Sequence, residues 1–567
     1  MALFAYLRGP GASGVRSGDG LALSEEGGRG GQIVGSIRSE PRSFNRLLAR
    51  DQASDLVSLL IHGRLIRTNR VTFELEPWLA ERWESSADGL THTLHLRPGL
   101  LWSDETPLTS ADVLFSLQAA LDPSVMSVIA GNLTAGGQPI RALAPDPATV
   151  VFTYAGPAGE GVGLLDVLPI LPKHKLEAAL AAGTLASAWG PGTPPADIVG
   201  AGPFVLREHV AGQRLVFDRN PHFWRKTSDG QPLPYLDRIV LEVVPDQNAE
   251  LLRLTSGATD ITYSELRPED YVPARRAEEE GKLKLVELGI GTDPDAFWFC
   301  LKPEKKKGDP RFAFLQKREF RQAISHAVDR EEFAQTVFLG EAVPVWGPIT
   351  PGNKPWFSPN VPRYPHDVAK ARALLKSIGL EDRNSNGIVE DAAGTEARFT
   401  VLTQRGITYY ERGTTVLRDH AMSAGILLDI VPLEIGAVVQ RLETCDYDAI
   451  YMRPLATDLD PAGNLDFWLS SGSGHFWNMS QASPATDWEK QADALMTEQA
   501  RTTDPERRRA LFNDVQRIYA ENLPVLYFAA PRLFYGHSRR LTGVTASVMR
   551  PPVLWSADTL AVAAAAP

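Results

Sequence analysis

Cysteine is scarce in this chain: Cys300 and Cys445 are the two thiols among 567 residues. Two thiols exclude a disulfide framework and leave room for one bridge at most. Such scarcity suits an exported protein that must avoid stray oxidation, and it equally suits many cytosolic ones. Positive charge is also in deficit, with 58 Lys and Arg against 69 Asp and Glu, a formal −11. That excludes the broad basic surface a nucleic-acid partner needs, while leaving room for a local basic pocket. Long apolar runs are absent. The longest nearly uncharged stretch, around residues 162–171, contains Asp166 and Pro169 and is shorter than the roughly 20 residues a membrane span needs. No His-x-x-x-His pair occurs, and His92 and His95 fall on opposite faces of an expected strand. Neither a G-x-S-x-G nor a G-x-x-x-x-G-K-[ST] phrase is present. These absences leave no metal centre, no cofactor and no recognisable catalytic motif to expect.

What is present is a soluble globular composition, 43% hydrophobic and 22% charged. The length exceeds what one core supports, so the chain should divide into domains. Internal repeats and low-complexity cores are lacking. Residues 9–31 are rich in Gly and Ser with no apolar period, which reads as a flexible lead-in. The preceding MALFAYLR is shorter than the apolar region of a signal peptide, about 7–15 residues.

Local patterns predict alternating strands and helices. Residues 91–97 alternate, with His92, Leu94 and Leu96 on one face, until Pro98-Gly99 breaks the run. Thr109 followed by Asp112 has the form of a capping box with Asp in place of Glu. Val113, Leu114, Leu117 and Leu121 then share a helical face. A strand is expected at 32–37, and a helix over 55–67 with Leu56, Leu59, Leu60 and Gly63 inward. Another strand is expected at 145–154, then a hairpin turning at Ala211-Gly212. Asp329 and Asp504 stand where they would cap helices, and Gly379 where it would end one.

The wording of several segments goes further than their periodicity. LEPWLAERWESSADGLTHTLHLRPGLLWSDETPLTSADVLFSLQAAL, residues 75–121, resembles a segment of the extracytoplasmic solute-binding proteins of the peptide/nickel ABC-transporter type, family 5. GAGPFVLREHVAGQRLVFDRNPHFW at 200–224 is similar to a second phrase of that family. The stretches at 237–261, 320–352 and 366–380 follow in family order, as does the closing DPERRRALFNDVQRIYAENLPVLYFAA. The resemblance implies an α/β, two-lobed, periplasmic-binding-protein-like type II fold with an extra inserted subdomain. The expected division is a lead-in at 1–30, lobe one at 31–290 with an inserted subdomain near 62–197, lobe two at 291–525, a return segment at 526–560 and a tail at 561–567.

The resemblance also implies function. The protein would be a receptor, not an enzyme, capturing an oligopeptide or similar solute between its lobes and delivering it to ABC permease subunits in the membrane. It would act as a monomer in the periplasm or attached to the cell envelope. Family members carry an export signal or a lipoprotein cysteine. Neither is visible here, so either the natural start lies elsewhere or the signal was removed; residues 9–31 resemble the tether that follows a lipid anchor. Two alternatives are open: a sensor that presents its closed form to a signalling partner, and a hydrolase using Asp458 and Asp460 as a carboxylate pair.

Ligand residues are expected around 447–468, YDAIYMRPLATDLDPAGNLDFW. Peptide-binding family members carry a Trp and an amine-pairing Asp in the matching phrase. Aligned on Asp460-Pro461, Pro454 and Thr457 stand at those positions, with Asp458 one residue away as a substitute charge. Asp458 and Asp460 are therefore ligand candidates, against the plainer reading of solvated acids in an Asp-Pro loop. Arg453 is a candidate partner for a ligand carboxylate, with pairing to Asp458 or Asp460 the preferred reading. Phe44 is a further candidate, in SEPRSFNRL, where family members often have a P-x-S-L-D-P phrase and Phe44-Asn45 here replaces Leu-Asp. Trp356, Trp468, Phe476 and Trp477 are candidate walls of apolar pockets, or simply core. Asp382, Asn384, Asn386 and Gly387 match the first half of a calcium loop, but the twelfth position is Ala393, so a structural Asx turn is the preferred reading. Nickel binding, known in the family, has no specific support in the sequence.

Overall fold

The computed structural model describes residues 27–49, 51–453 and 459–563. These fall into two compact units, each built from separated pieces of chain. The first comprises residues up to Tyr263 with His537–Thr545 and the segment from Val553; the second comprises Ser264–Gly536 with Ala546–Pro552. Residues 264–290, expected with the first lobe, thus group with the second unit.

In the first unit, β1 (Gln32–Ile37) leads to α1 (Gln52–Ile61). Asp51 caps that helix, accepting from the Ser54 N–H at 2.9 Å. The helix stops at Ile61, short of the expected end at Arg67, because Gly63 and Arg64 pair instead with Ile170 and Pro169. Next come β2 (Ala80–Ser85), β3 (Thr91–Leu96), α2 (Ser110–Leu121), β4 (Arg141–Asp146) and β5 (Thr149–Thr153). Their strands form one antiparallel sheet in the order β4-β5-β3-β2, within the 62–197 stretch. His92, Leu94 and Leu96 face inward as the alternation predicts, and Val150 and Phe152 pack from β5. Asp112 accepts from the Thr109 N–H at 2.8 Å, completing the predicted start of α2. A second sheet joins β6 (Phe204–Val210), β7 (Arg214–Arg219) and β8 (Arg238–Val243) to β1, in the order β6-β7-β8-β1. The β6–β7 hairpin turns at Gly212, whose φ of +70° suits glycine.

The second unit is organised on five strands: β9 (Ala296–Phe299), β10 (Arg398–Gln404), β11 (Leu427–Leu433), β12 (Ala449–Met452) and β13 (Val525–Tyr527), in the order β11-β10-β12-β9-β13. β11, β10 and β12 run parallel, whereas β9 is antiparallel to both neighbours. All four residues of β9, Ala-Phe-Trp-Phe, are fully buried, as a central strand covered on both faces requires. Helices that pack in this unit include α3 (Arg318–Ala327), α4 (Arg330–Val337), α5 (Thr408–Ser423), α6 (Ile435–Thr444) and α7 (Pro505–Asn522). The predicted caps are present: Asp329 accepts from the Glu331 and Glu332 N–H groups, and Asp504 from that of Arg507. Among the described residues no helix is long and apolar enough to cross a membrane.

Candidate functional site

β12 leads directly into the candidate ligand stretch, so the site is built outward from the β9–β12 pair. The register sets Ala296 against Met452 and Phe299 against Ala449. Cross-links close both ends of this ladder, one residue beyond β9 on that strand. At one end Cys300 and Cys445, with Cα atoms 5.9 Å apart, form a disulfide. The single bridge that the sequence left open is therefore made. At the other end Arg453 meets Asp295.

The Asp295 carboxylate is completely buried and has two partners. Tyr451 donates its hydroxyl proton at 2.5 Å, and Arg453 donates from Nε and Nη2 at 3.3 and 3.2 Å. Tyr410 accepts the Arg453 backbone N–H at 3.0 Å, and the guanidinium lies 5.0 Å from the Tyr409 ring centre and 5.6 Å from that of Phe338. Burial pushes the Asp295 carboxyl up, against the opposing pull of Arg453. Burial also opposes the Arg453 charge, but Tyr409 and Asp295 more than offset this and hold it above the ordinary arginine value. Tyr451 is pushed well up by burial and by the Asp295 charge, so it stays a neutral donor. The expected pairing of Arg453 with Asp460 is not made. The strand register brings Asp295 beside it, whereas Asp460 lies with another arginine.

That arginine is Arg508 on α7. Its Nη1 and Nη2 donate to the two Asp460 oxygens at 2.9 and 2.6 Å. Asp460 also accepts the Ala462 N–H at 2.9 Å, capping the short turn Pro461–Asn464. Asn353 Nδ2 donates to the Leu459 carbonyl at 3.0 Å. Asp460 is therefore an ordered, paired acid, not a solvated one. Pro454, Thr457 and Asp458 lie outside the described residues.

The aromatic candidates all make packing contacts, with Trp356 and Phe476 only half-buried. Phe44 is buried in the first unit, edge-on to His209 at 5.5 Å. In the second unit Trp468 packs edge-on to Phe512, and Tyr519 donates its hydroxyl to the Trp468 carbonyl at 2.7 Å. Trp477 is buried, with Nε1 donating to Glu489 at 3.3 Å, and Phe476 stacks on Trp298. Trp356 is half-buried, and Arg508 lies 5.0 Å from its ring centre. Arg508 thus links Trp356 to Asp460.

The calcium-like loop is closed by its own backbone. Asp382 accepts from the Asn386 and Gly387 N–H groups at 3.1 and 2.9 Å, Asn384 also accepts from the Asn386 N–H, and Asn386 accepts from that of Ile388. This is an Asx-turn arrangement. Among the described residues no group of three or more His, Cys, Asp or Glu could hold a metal.

Asp295, Tyr410, Tyr451 and Arg508 were not among the residues singled out in the sequence. Each meets its partner across more than 40 positions of chain, so no local spacing could have revealed it. A further pair in this unit, Glu265 with Arg550, is of the same kind. Burial raises the Glu265 carboxyl, but Arg550 outweighs it and holds the group at about 2.

Comparison with known proteins covers most of the chain. The family model for bacterial extracellular solute-binding proteins, family 5, matches residues 74–476. A probable ABC transporter-binding protein of Deinococcus radiodurans is 26% identical over 90% of this chain and 89% of its own length. The oligopeptide-binding protein AppA of Bacillus subtilis is 25% identical over 94% of this chain and 92% of its own. Among solved structures, the ABC transporter substrate-binding protein CtaP of Listeria monocytogenes superposes with a TM-score of 0.77 at 23% identity, covering 94% of this chain and 100% of that one. The fold class is accordingly that of the α/β type II binding proteins.

Proposed function

The chain belongs to the bacterial extracellular solute-binding proteins of family 5, and from that premise we propose that it is the receptor of an ABC importer, capturing an oligopeptide or similar small solute outside the cytoplasm and delivering it to a membrane permease. The observation that carries this reading is the extent of the likeness. The family match runs through both units, and an oligopeptide-binding relative aligns over 92% of its own length. Proteins of this family bind solutes and are not enzymes, so the hydrolase reading of Asp458 and Asp460 falls away. Asp460 is moreover occupied by Arg508. An oxidising, extracytoplasmic setting agrees with the Cys300–Cys445 bridge.

Within this reading, solute contacts fall on residues 453–460, whose two ends are held by Asp295 and Arg508. Peptide-binding members carry Trp and Asp where Pro454 and Thr457 stand, so Asp458 is the residue to supply a charge for a free amine. Native mass spectrometry of the purified protein would identify a copurified solute. Calorimetry would then compare peptides with free and N-acetylated termini. Asp458→Asn should weaken free-amine peptides by about 30-fold or more, as loss of one partner of a buried charge pair does, and leave acetylated ones unchanged. An equal affinity for both peptides, unaltered by the substitution, would remove the amine anchor. A copurified solute that is not a peptide would remove the peptide class while leaving the importer receptor intact.

A further inference from the structure

A histidine whose two ring nitrogens both face acceptors must carry two protons. In the first unit His209 is in that position. Its Nδ1 lies 3.0 Å from the Pro191 carbonyl and its Nε2 lies 2.9 Å from Glu40 Oε1. A carbonyl has no proton to give. Neither has Glu40: its Oε1 also accepts the Gly212 N–H at 2.8 Å, and that bond, followed by the one from His209, holds the carboxyl below its ordinary value of 4.5. Both ring nitrogens therefore donate, and the ring is an imidazolium. His209 is 6% exposed and Glu40 34%, so the pair is sheltered but open to protons at its Glu40 end.

A break in strand register puts the ring there. On β6, Leu206 pairs with Phe217 and Glu208 with Val216, so Arg207 is an extra residue. The shift by one sends His209, opposite Leu215, to the face that Phe204 and Leu206 occupy. Other charged groups on the surrounding elements are Arg207, Glu208 and Arg214 of the hairpin, Asp197 of the turn Pro195–Asp197, Asp55 of α1, and Arg38 and Arg42 beside Glu40. Glu208 pairs with Arg214, Asp55 with Arg46 and Arg38 with Glu250. Among the described residues, Glu40 is the charged group that bonds the ring.

The two acceptors belong to segments far apart in sequence. Glu40 precedes Phe44, and the Phe44 N–H donates to the Trp189 carbonyl at 2.8 Å while Ser43 Oγ donates to the same oxygen at 3.3 Å. Pro191 follows Trp189 by two residues. The His209 ring also meets the Phe44 ring edge-on at 5.5 Å. A cavity of about 160 Å³ is lined by Arg42, Ser43 and Leu48 from one segment and by Ala186, Ser187 and Gly190 from the other. His209 thus ties together the two chain segments that wall this cavity. A neutral ring has one N–H. It must release either Pro191 or Glu40 and leave a nitrogen lone pair facing an oxygen.

We propose that His209 is a proton-operated clasp on this cavity: charged, it holds segments 40–48 and 186–191 together, and neutral, it lets them part. The sign follows from the bonds. The clasped state binds the proton, so it is favoured on the acid side of that proton's loss and weakens as pH rises, with Glu40 ionised throughout. The test combines nitrogen-15 spectra of the histidine rings of the full chain with hydrogen exchange read by mass spectrometry, its rates corrected for the intrinsic effect of pH. The ring signal missing from His209→Gln identifies His209. At about pH 5.5 both its nitrogens should carry protons, and by about pH 8.5 one should be lost. Over that rise, protection of peptides within 40–48 and 186–191 should fall about tenfold, as loss of one charge-assisted bond implies, while peptides of β9 and β12 hold steady. His209→Gln, which like a neutral ring offers a donor and an acceptor but no charge, should show the low protection at both pH values. Thermal melts would verify that the variant is folded, and the wild-type spectra and exchange decide the matter if it is not. The proposal is overturned if the wild-type ring carries one proton at the lower pH. It is equally overturned if protection does not follow the loss of the ring proton, or if the folded His209→Gln variant keeps the wild-type step.

Discussion

Two carboxylate–guanidinium pairs flank residues 454–458, and they hold their ends by different means. Asp295–Arg453 is sealed from water, with exposures of 0% and 10% for the two side chains. It is an extension of the β9–β12 ladder, roofed by Tyr409 and wired to Tyr451 and Tyr410. Asp460–Arg508 is bidentate but nearer the surface, with Asp460 25% exposed. It combines a turn cap with a cation–aromatic contact to Trp356. The difference teaches where rigidity comes from. The first tether depends on removing two charges from water and then satisfying them fully, so losing either partner strands the other. The second depends on good geometry in partial solvent, where a lost partner is replaced in part by water.

Breaking the first tether should have the largest effect. Arg453→Met leaves Asp295 buried without its cation and should cost about 3–5 kcal/mol in chemical denaturation. Adding Asp295→Asn to that variant should recover part of the loss, because the stranded charge is then gone. A cost near that of a surface substitution would show that the pair is not sealed.

The disulfide tests the opposite end of the same ladder. It spans 145 residues of chain, and removing it by reduction or by Cys445→Ser should cost about 2–4 kcal/mol, read as a fall in Tm. Most of that arises from a less restricted unfolded chain, so the solute site should keep its affinity well below the new Tm.

Glu265–Arg550 sharpens the comparison through pH. The Glu265 carboxyl is depressed from 4.5 to about 2, and its side chain is 12% exposed. A depressed carboxylate stabilises the fold fully above the unfolded value, and that contribution fades as pH falls through the folded one. Stability should therefore decline between about pH 4.5 and pH 2 by an amount on the order of 3 kcal/mol from this group. Glu265→Gln should flatten that part of the profile.

The smallest effect belongs to the second tether. Arg508→Met should cost about 1–2 kcal/mol, since Asp460 keeps its capping bond and gains water. A cost matching that of Arg453→Met would erase the distinction between the tethers.

Much of the local structure was legible in the chain. The alternation at 91–96, the Thr109–Asp112 start of α2, the turn at Gly212 and the caps at Asp329 and Asp504 all appear as predicted. Each depends on residues within a few positions of one another. The end of α1 falls six residues before the expected Arg67, because Gly63 and Arg64 are recruited by a strand more than a hundred positions away.

By itself, then, the amino-acid order determined the strands and helices, their caps and the family to which the chain belongs, because periodicity and turn chemistry act over one or two turns of chain. Tertiary structure alone decided the partners of the charges. It gave Arg453 to Asp295 and Asp460 to Arg508, joined Cys300 to Cys445, and turned Phe44, Trp468 and Trp477 into packing. A buried charge takes whichever opposite charge the sheet register and helix packing set beside it, and that choice is made across distances no local pattern can encode.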